Sequence, residues 1–380
     1  MNKPIYCHHL DYVCGLKYCL TNGYVKVEYR QSPDTFIVEE LIDYGKLGYS
    51  RADGEYVLYR LVKKGVDTLY ALRTIAKYYR IPYTNIGFLG LKDRDSLSVQ
   101  YITIKKHLVR EDYARHNELV FERDNIKLYF IGYIRGKLHR KALIGNRFSI
   151  RIGDPKYTDL VKDIIKKINK YGLPSYYGYQ RFGTRRYNTH LIGKYIILGN
   201  IAYAVRELLY SLYPRETINS LIARSERKLN RIYRLYYEWR LSRILSKKRS
   251  LEAVIYGLKK NVLLLFIEAY QSYLFNEALN RYIKKYGWVR EEEICVYGPG
   301  CRGNSDLYHD ILCVEGLSAD SLVNSLSSYG VSGWRRNIVL KLVDPEINIL
   351  NGELWIKFTL GIGQYATIVL RELFKENLLI

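Results

Sequence analysis

From Thr189 to Tyr286 the chain carries long helical patterns and no strand signal, whereas strand-like patterns lie on both sides of that stretch. This break constrains the fold more than any other feature. Upstream, Val25 to about Thr103 alternates short extended runs, such as Tyr56 to Val62, with one helix. That helix is read over Asp67 to Arg80, where Leu69, Leu72, Ile75 and Ala76 recur at helical spacing; Pro82 ends it, and Ile86 to Phe88 resume in extended style. Lys127 to Ile134 and Arg147 to Ile152 read as strands. Lys156 to Lys170, entered through Asp154-Pro155 with Ile164, Ile165 and Ile168 on one face, reads as a helix. Strand-like patterns return at Asp310 to Glu315, Arg336 to Val343, Glu353 to Leu360 and Ala366 to Leu370. A mixed sheet with covering helices, its two halves separated by an inserted helical region, accounts for this order.

The chain has 380 residues, 48% of them hydrophobic, enough for two domains and against a disordered reading. Sixty Lys and Arg against 38 Asp and Glu leave a formal charge of +22, which calls for a polyanionic partner, nucleic acid first. No apolar run reaches the roughly 18 residues that a spanning helix needs. Cys7-His8-His9-Leu10-Asp11 also interrupts any signal-peptide core, so the expectation is a soluble, cytoplasmic protein. Six cysteines, at 7, 14, 19, 295, 301 and 313, never show Cys-x-x-Cys spacing. Cys7, His8, Cys14 and Cys19 fit no standard zinc finger, so no metal is assigned and reduced, unpaired thiols are expected. The 39 tyrosines suit RNA recognition, because a Tyr ring stacks on an unpaired base while its hydroxyl bonds phosphate or ribose. Ala223 to Arg249 holds ten Arg or Lys and two Glu, with Ile232, Leu235, Tyr236, Trp239 and Ile244 near helical spacing. It reads as an amphipathic helix with one cationic side, a phosphate-contacting surface or a solvated face.

Chemistry concentrates at Gly90 to Gln100, Gly-Leu-Lys-Asp-Arg-Asp-Ser-Leu-Ser-Val-Gln, where Asp93 stands between Lys92 and Arg94 on a loop. Loops on rigid scaffolds commonly carry reactive groups, and two flanking cations would draw a phosphodiester chain toward the acid. From composition alone, an exposed charge cluster closing a turn is the favoured reading.

The segment resembles the signature of the TruD family of tRNA pseudouridine synthases, Gly-x-Lys-Asp-Arg/Lys-x-Ala-x-Thr-x-Gln, at Lys92, Asp93 and Gln100. Five more family motifs follow the same order. Pro33 to Glu39 is similar to the N-terminal strand motif and Gly145-Asn146-Arg147-Phe148 to Gly-Asn-x-Phe. Tyr177 to Gly183 is similar to aromatic-Gly-x-Gln-Arg-Phe-Gly, and Gln271 to Asn276 and Tyr365 to Leu373 match two later blocks. The resemblance implies an α/β chain of α+β type. Its pseudouridine-synthase catalytic domain, with a mixed, largely antiparallel sheet, would occupy 1–175 and 336–380, interrupted by a mainly helical insertion domain at 176–335.

It also implies isomerisation of uridine in tRNA, usually uridine 13, on a base swung out of the stack, without a cofactor. By the same resemblance Asp93 is the catalytic carboxylate, Phe148 the ring against the target base, and Phe36 the aromatic of the N-terminal strand. Asn146, two residues before Phe148 on one strand, faces the same side. Arg30 and Asp34 align near a family Lys and Glu, while Ser96 and Ser98 replace the usual Ala and Thr. Lys92 is read as a companion of Asp93 or a phosphate contact, and Gln180 and Arg181 as lining the cleft. Arg371 is read as reaching a phosphate or pairing with Glu372, and Gln364 to Thr367 as completing the sheet. The rival reading is a non-catalytic tRNA-binding or RNA-folding protein with the same basic surface. A metal-dependent nuclease would need a carboxylate or His cluster that the spacings do not offer.

Overall fold

Along Phe36–Ile42 buried and half-buried positions alternate, and Glu353–Gly361 does the same over nine residues. This is the period-two signature of strands with one well-covered face. The computed structural model describes residues 5–109, 115–229 and 236–379. One compact unit comprises Gly23–Lys170, Lys341–Ala366 and Leu373–Ile380; the other comprises Met1–Asn22, Tyr171–Leu340 and Thr367–Glu372.

The first unit is built on a nine-stranded sheet. Its strands are β1 (Phe36–Ile42), β2 (Tyr56–Lys64), β3 (Gly87–Phe88), β4 (Leu97–Lys105), β5 (Glu118–Arg123), β6 (Ile126–Ile134), β7 (Leu143–Gly153), β8 (Val343–Leu350) and β9 (Glu353–Gly361). They run in the order β8-β9-β7-β1-β4-β2-β6-β5, and β3 also pairs with β4. Every pairing is antiparallel except β1 with β4. A parallel neighbour requires a crossover, and here the crossover runs through β2, a helix and β3.

That helix, Thr68–Tyr79, begins where the Asp67 carboxylate accepts from the amides of Leu69 and Tyr70, at 2.8 and 3.2 Å. It ends at Arg80 in left-handed conformation, φ 55°, two residues before Pro82. Its buried Ala71, Leu72, Ile75 and Ala76 pack with Tyr59, Leu61, Ile102 and Leu128 of the sheet. Leu72→Ala in this core would cost about 2–5 kcal/mol. Helix Thr158–Tyr171 buries Val161, Ile164, Ile165 and Ile168, the one-faced pattern read from its sequence.

The second unit is mainly helical. Its longest helix, Lys260–Tyr286, buries Phe266, Ile267, Tyr270, Leu274 and Phe275. Helix Thr189–Ile197 lies against it through Gly193, where any Cβ would collide with the Phe266 carbonyl. Gln271 donates to the carbonyls of Tyr297 and Ser332, at 3.0 and 2.9 Å, and Asn276 donates to those of Cys14 and Tyr177, at 2.9 and 3.2 Å. Both amides therefore tie loops to this helix.

Several expectations are corrected. Asp310 to Val314 belongs to a helix, Ser305–Val314, which Glu315 caps and whose buried Leu307, Tyr308, Ile311 and Leu312 show the spacing that a six-residue window truncates. Ala366 to Leu370 is also helical, within Ala366–Phe374, and Gln364 to Thr367 lead into that helix instead of adding a strand. Ile368, Val369, Leu370, Leu373 and Phe374 are all at most 1% exposed, so burial on every side erases the helical period. Ala223 to Arg249 is not one helix: Ile218–Ser225 ends before Arg227, φ 55°, and a second helix starts at Tyr236. Ile232 and Leu235 lie outside the described residues.

The expected free thiols are paired in two cases, Cys7 with Cys19 and Cys295 with Cys301, while Cys14 and Cys313 are free. Their Cα atoms are 6.6 and 5.6 Å apart, a proximity that sequence spacing does not reveal. Arg371 neither meets Glu372 nor reaches the surface. At 2% exposure it forks onto both carboxylate oxygens of Asp11, each at 2.7 Å. No helix among the described residues is long and apolar enough to cross a membrane.

Candidate active site

The loop from Leu89 to Ser96 joins β3 to β4 without a strand ladder of its own, so side chains beneath it satisfy its backbone. Lys63, at the end of β2 and 0% exposed, donates to three carbonyls: Val66 at 2.8 Å, Lys92 at 3.2 Å and Asp93 at 2.9 Å. Ser96 Oγ supplies a second bond to the Asp93 carbonyl, at 2.7 Å. The Thr68 hydroxyl accepts from the Lys92 amide at 3.0 Å, and Gln100 Nε2 donates to the Gly90 carbonyl at 3.3 Å. Burial pulls the Lys63 ammonium down to about 8, opposed by the charges of Asp67 and Asp93 and aided by Lys92.

Above this scaffold Asp93 is exposed, and its carboxylate has no hydrogen bond or ion pair among the described residues. Lys92 turns the other way. Its ammonium donates to Glu40 Oε1 at 2.9 Å, and the second Glu40 oxygen accepts from the Tyr101 amide at 3.0 Å. Both side chains are shielded, Lys92 at 11% and Glu40 at 0% exposure. Lys92 is thus committed to Glu40 and braces the loop.

Glu40 leads to the aromatic patch. In the antiparallel register of β1 with β7, Glu40 faces Asn146, Val38 faces Phe148 and Phe36 faces Ile150. Directly opposed residues share one sheet face with Cβ atoms about 5 Å apart. Asn146 therefore sits beside the carboxylate that holds Lys92, next in the chain to Asp93. Phe148 packs between Phe36 and Phe358, each ring centroid 5.7 Å away, and keeps 7% of its surface exposed. Two buried polar atoms on this face lack partners, Asn146 Oδ1 and the Oγ of Ser98, the residue beside Val38 in β4.

The remaining candidates divide between the units. Arg30 is exposed in the short strand Tyr29–Arg30, which pairs in parallel with Leu378–Leu379. Asp34 is exposed and bonded to Lys64 Nζ at 2.7 Å, a hydrogen bond and charge that hold its carboxyl below the usual range. Gln180 and Arg181 belong to the helical unit. Gln180 accepts from the Thr367 hydroxyl at 3.1 Å; Arg181 binds Glu268 at 2.9 Å and Ser272 at 3.0 Å. Sequence reasoning missed Lys63 and Glu40. Glu40 had a local signal, one residue past the quoted N-terminal motif, but its partner lies 52 positions away. Among the described residues no group of three or more His, Cys, Asp or Glu is placed to hold a metal ion.

The mixed, mostly antiparallel sheet of the first unit is interrupted in sequence by the helical unit. The solved Methanosarcina mazei structure assigned to tRNA pseudouridine synthase D (TruD) superposes with a TM-score of 0.73 over 99% of each chain, at 21% identity. The family model described as tRNA pseudouridine synthase D (TruD) matches residues 15–300 and 300–373. Among curated relatives, the tRNA pseudouridine synthase D of Aquifex aeolicus is 28% identical, covering 92% of this chain and 98% of its own. The Methanocaldococcus jannaschii protein named probable tRNA pseudouridine synthase D 2 is 29% identical over 91% of both. The chain belongs to the tRNA pseudouridine synthase D (TruD) family, enzymes that isomerise uridine in tRNA.

Proposed function

We propose that this chain, acting in the cytoplasm, converts uridine to pseudouridine at position 13 of tRNA, with Asp93 as the reacting carboxylate. One observation carries the reading: Asp93 extends an uncommitted carboxylate while side chains beneath it satisfy the loop's backbone. The reaction breaks the bond from ribose C1′ to uracil N1, turns the base and joins C5 to C1′. The C5 proton leaves and N1 gains one, so substrate and product are isomers and no cofactor is required. A carboxylate starts this by attack on C1′ or by removing the C2′ proton.

The other roles follow from chemistry. Asn146 Oδ1, buried without a partner, is an acceptor for a uracil N–H. Phe148, backed by Phe36, presents the apolar edge against which the extruded base rests. Arg30 and the surplus of basic residues meet phosphates, and Asp34 acts through Lys64. The sheet unit is the catalytic domain; the insertion, residues 176–335 with Gln180 and Arg181 at its start, grips RNA. The test is incubation of the purified protein with an unmodified tRNA transcript, followed by chemical mapping of pseudouridine. We expect one product site at position 13, lost when that uridine is replaced by cytidine. Tight binding with no pseudouridine at any position would favour the rival, a non-catalytic tRNA binder.

A further inference from the structure

Lys63 is buried in an unusual way. Its ammonium is 0% exposed and spends its three protons on three neutral carbonyls, with no carboxylate among the described residues at ion-pair distance. Charge removed from water without a counter-ion weakens a fold, so a lysine so placed is not explained by stability. Two of the three acceptors are the consecutive carbonyls of Lys92 and Asp93. The Asp93 carbonyl also accepts from Ser96 Oγ, so both of its lone pairs are used. Two planar groups pinned on either side of the Asp93 Cα leave its side chain one direction of departure.

We propose that Lys63 is a positioning residue: with Ser96 it clamps the backbone at Asp93 and aims the carboxylate at the ribose. The inference rests on the reading of Asp93 as the reacting group. The charged groups facing Lys63 are Asp67 at the start of the helix and Lys92 and Asp93 in the loop. Loss of a proton from the ammonium leaves one nitrogen lone pair turned on a carbonyl oxygen, and the clamp loosens. The wild-type kcat is therefore expected to decline as pH rises through about 8.

The experiment compares Lys63→Met, Ser96→Ala and Asp93→Ala in the full-length protein with an unmodified tRNA transcript. Lys63→Met keeps an unbranched side chain, one atom shorter, and removes the charge and its three donors. We expect kcat to fall by about 10²-fold with tRNA affinity unchanged, no decline of kcat through pH 8, and faster amide exchange over residues 91–94. Wild-type kcat in folded Lys63→Met would overturn the proposal. Should Lys63→Met not fold, Ser96→Ala decides: a lowered kcat with unchanged tRNA binding supports the clamp, and an unchanged kcat overturns it. Asp93→Ala separates the two levels of the argument. Activity in Asp93→Ala removes the reading of Asp93 itself, whereas an inactive Asp93→Ala beside a fully active Lys63→Met removes only the clamp.

Discussion

Buried charge is used differently in the two units. In the helical unit the two most deeply buried arginines meet carboxylates: Arg371 forks onto Asp11, and Arg224 binds Glu216 at 2.7 Å and Glu238 at 3.0 Å. In the sheet unit Lys63 meets only carbonyls, and the acid nearest in the chain to those carbonyls, Asp93, is left uncommitted. The first arrangement closes on itself and joins distant segments, since Asp11 and Arg371 are 360 positions apart. The second spends its bonds on one loop and leaves a carboxylate exposed. The contrast separates scaffold from site by what each charge touches, without reference to any motif.

Three substitutions test that division. Asp11→Ala strips the partner from a buried arginine and should destabilise the protein by about 3–5 kcal/mol, read from the denaturation midpoint. Where the variant remains folded, kcat should match wild type; a specific loss of kcat would move Asp11 into the catalytic account. Glu40→Gln keeps one acceptor oxygen for Lys92 but removes the charge and sets an amide NH2 against the Tyr101 N–H. Its stability should fall by about 1–3 kcal/mol while kcat drops about tenfold, a loss of kcat that Asp11→Ala does not show. Equal losses at both sites would erase the distinction.

The smallest effect concerns acid. His190 is 3% exposed, lies against the ring of Tyr273, and is pulled down to about 3 by burial and by Lys194. Below pH 6.5 the unfolded chain takes up a proton that the folded chain refuses until about 3, so stability should fall as pH drops through that window. His190→Gln should flatten this slope and leave neutral-pH activity unaltered; an unchanged slope would assign the acid loss to other groups.

Much of this was legible in the sequence where pattern and burial agree. Tyr56 to Val62, Lys127 to Ile134 and Glu353 to Leu360 lie in strands, and the helix read from Asp67 to Arg80 spans Thr68–Tyr79. Legibility failed where burial is all-round, as in Ala366–Phe374, and where a helix stops without Gly or Pro, as at Ser225. Of the proposed site, Asp93, Asn146 and Phe148 could be named from local motifs. Lys63 and Glu40 could not, because a buried lysine and a buried glutamate have meaning only through carbonyls and amines brought to them by strand order. The paired cysteines escaped for the same reason.

The central claim is that Asp93 performs chemistry and does not hold RNA. Asp93→Asn replaces one carboxylate oxygen by an amide at almost constant shape. The account predicts wild-type tRNA affinity with the same steep salt dependence, and pseudouridine formation lower by at least about 10⁴-fold. Pseudouridine formed at the wild-type rate by purified Asp93→Asn would contradict it.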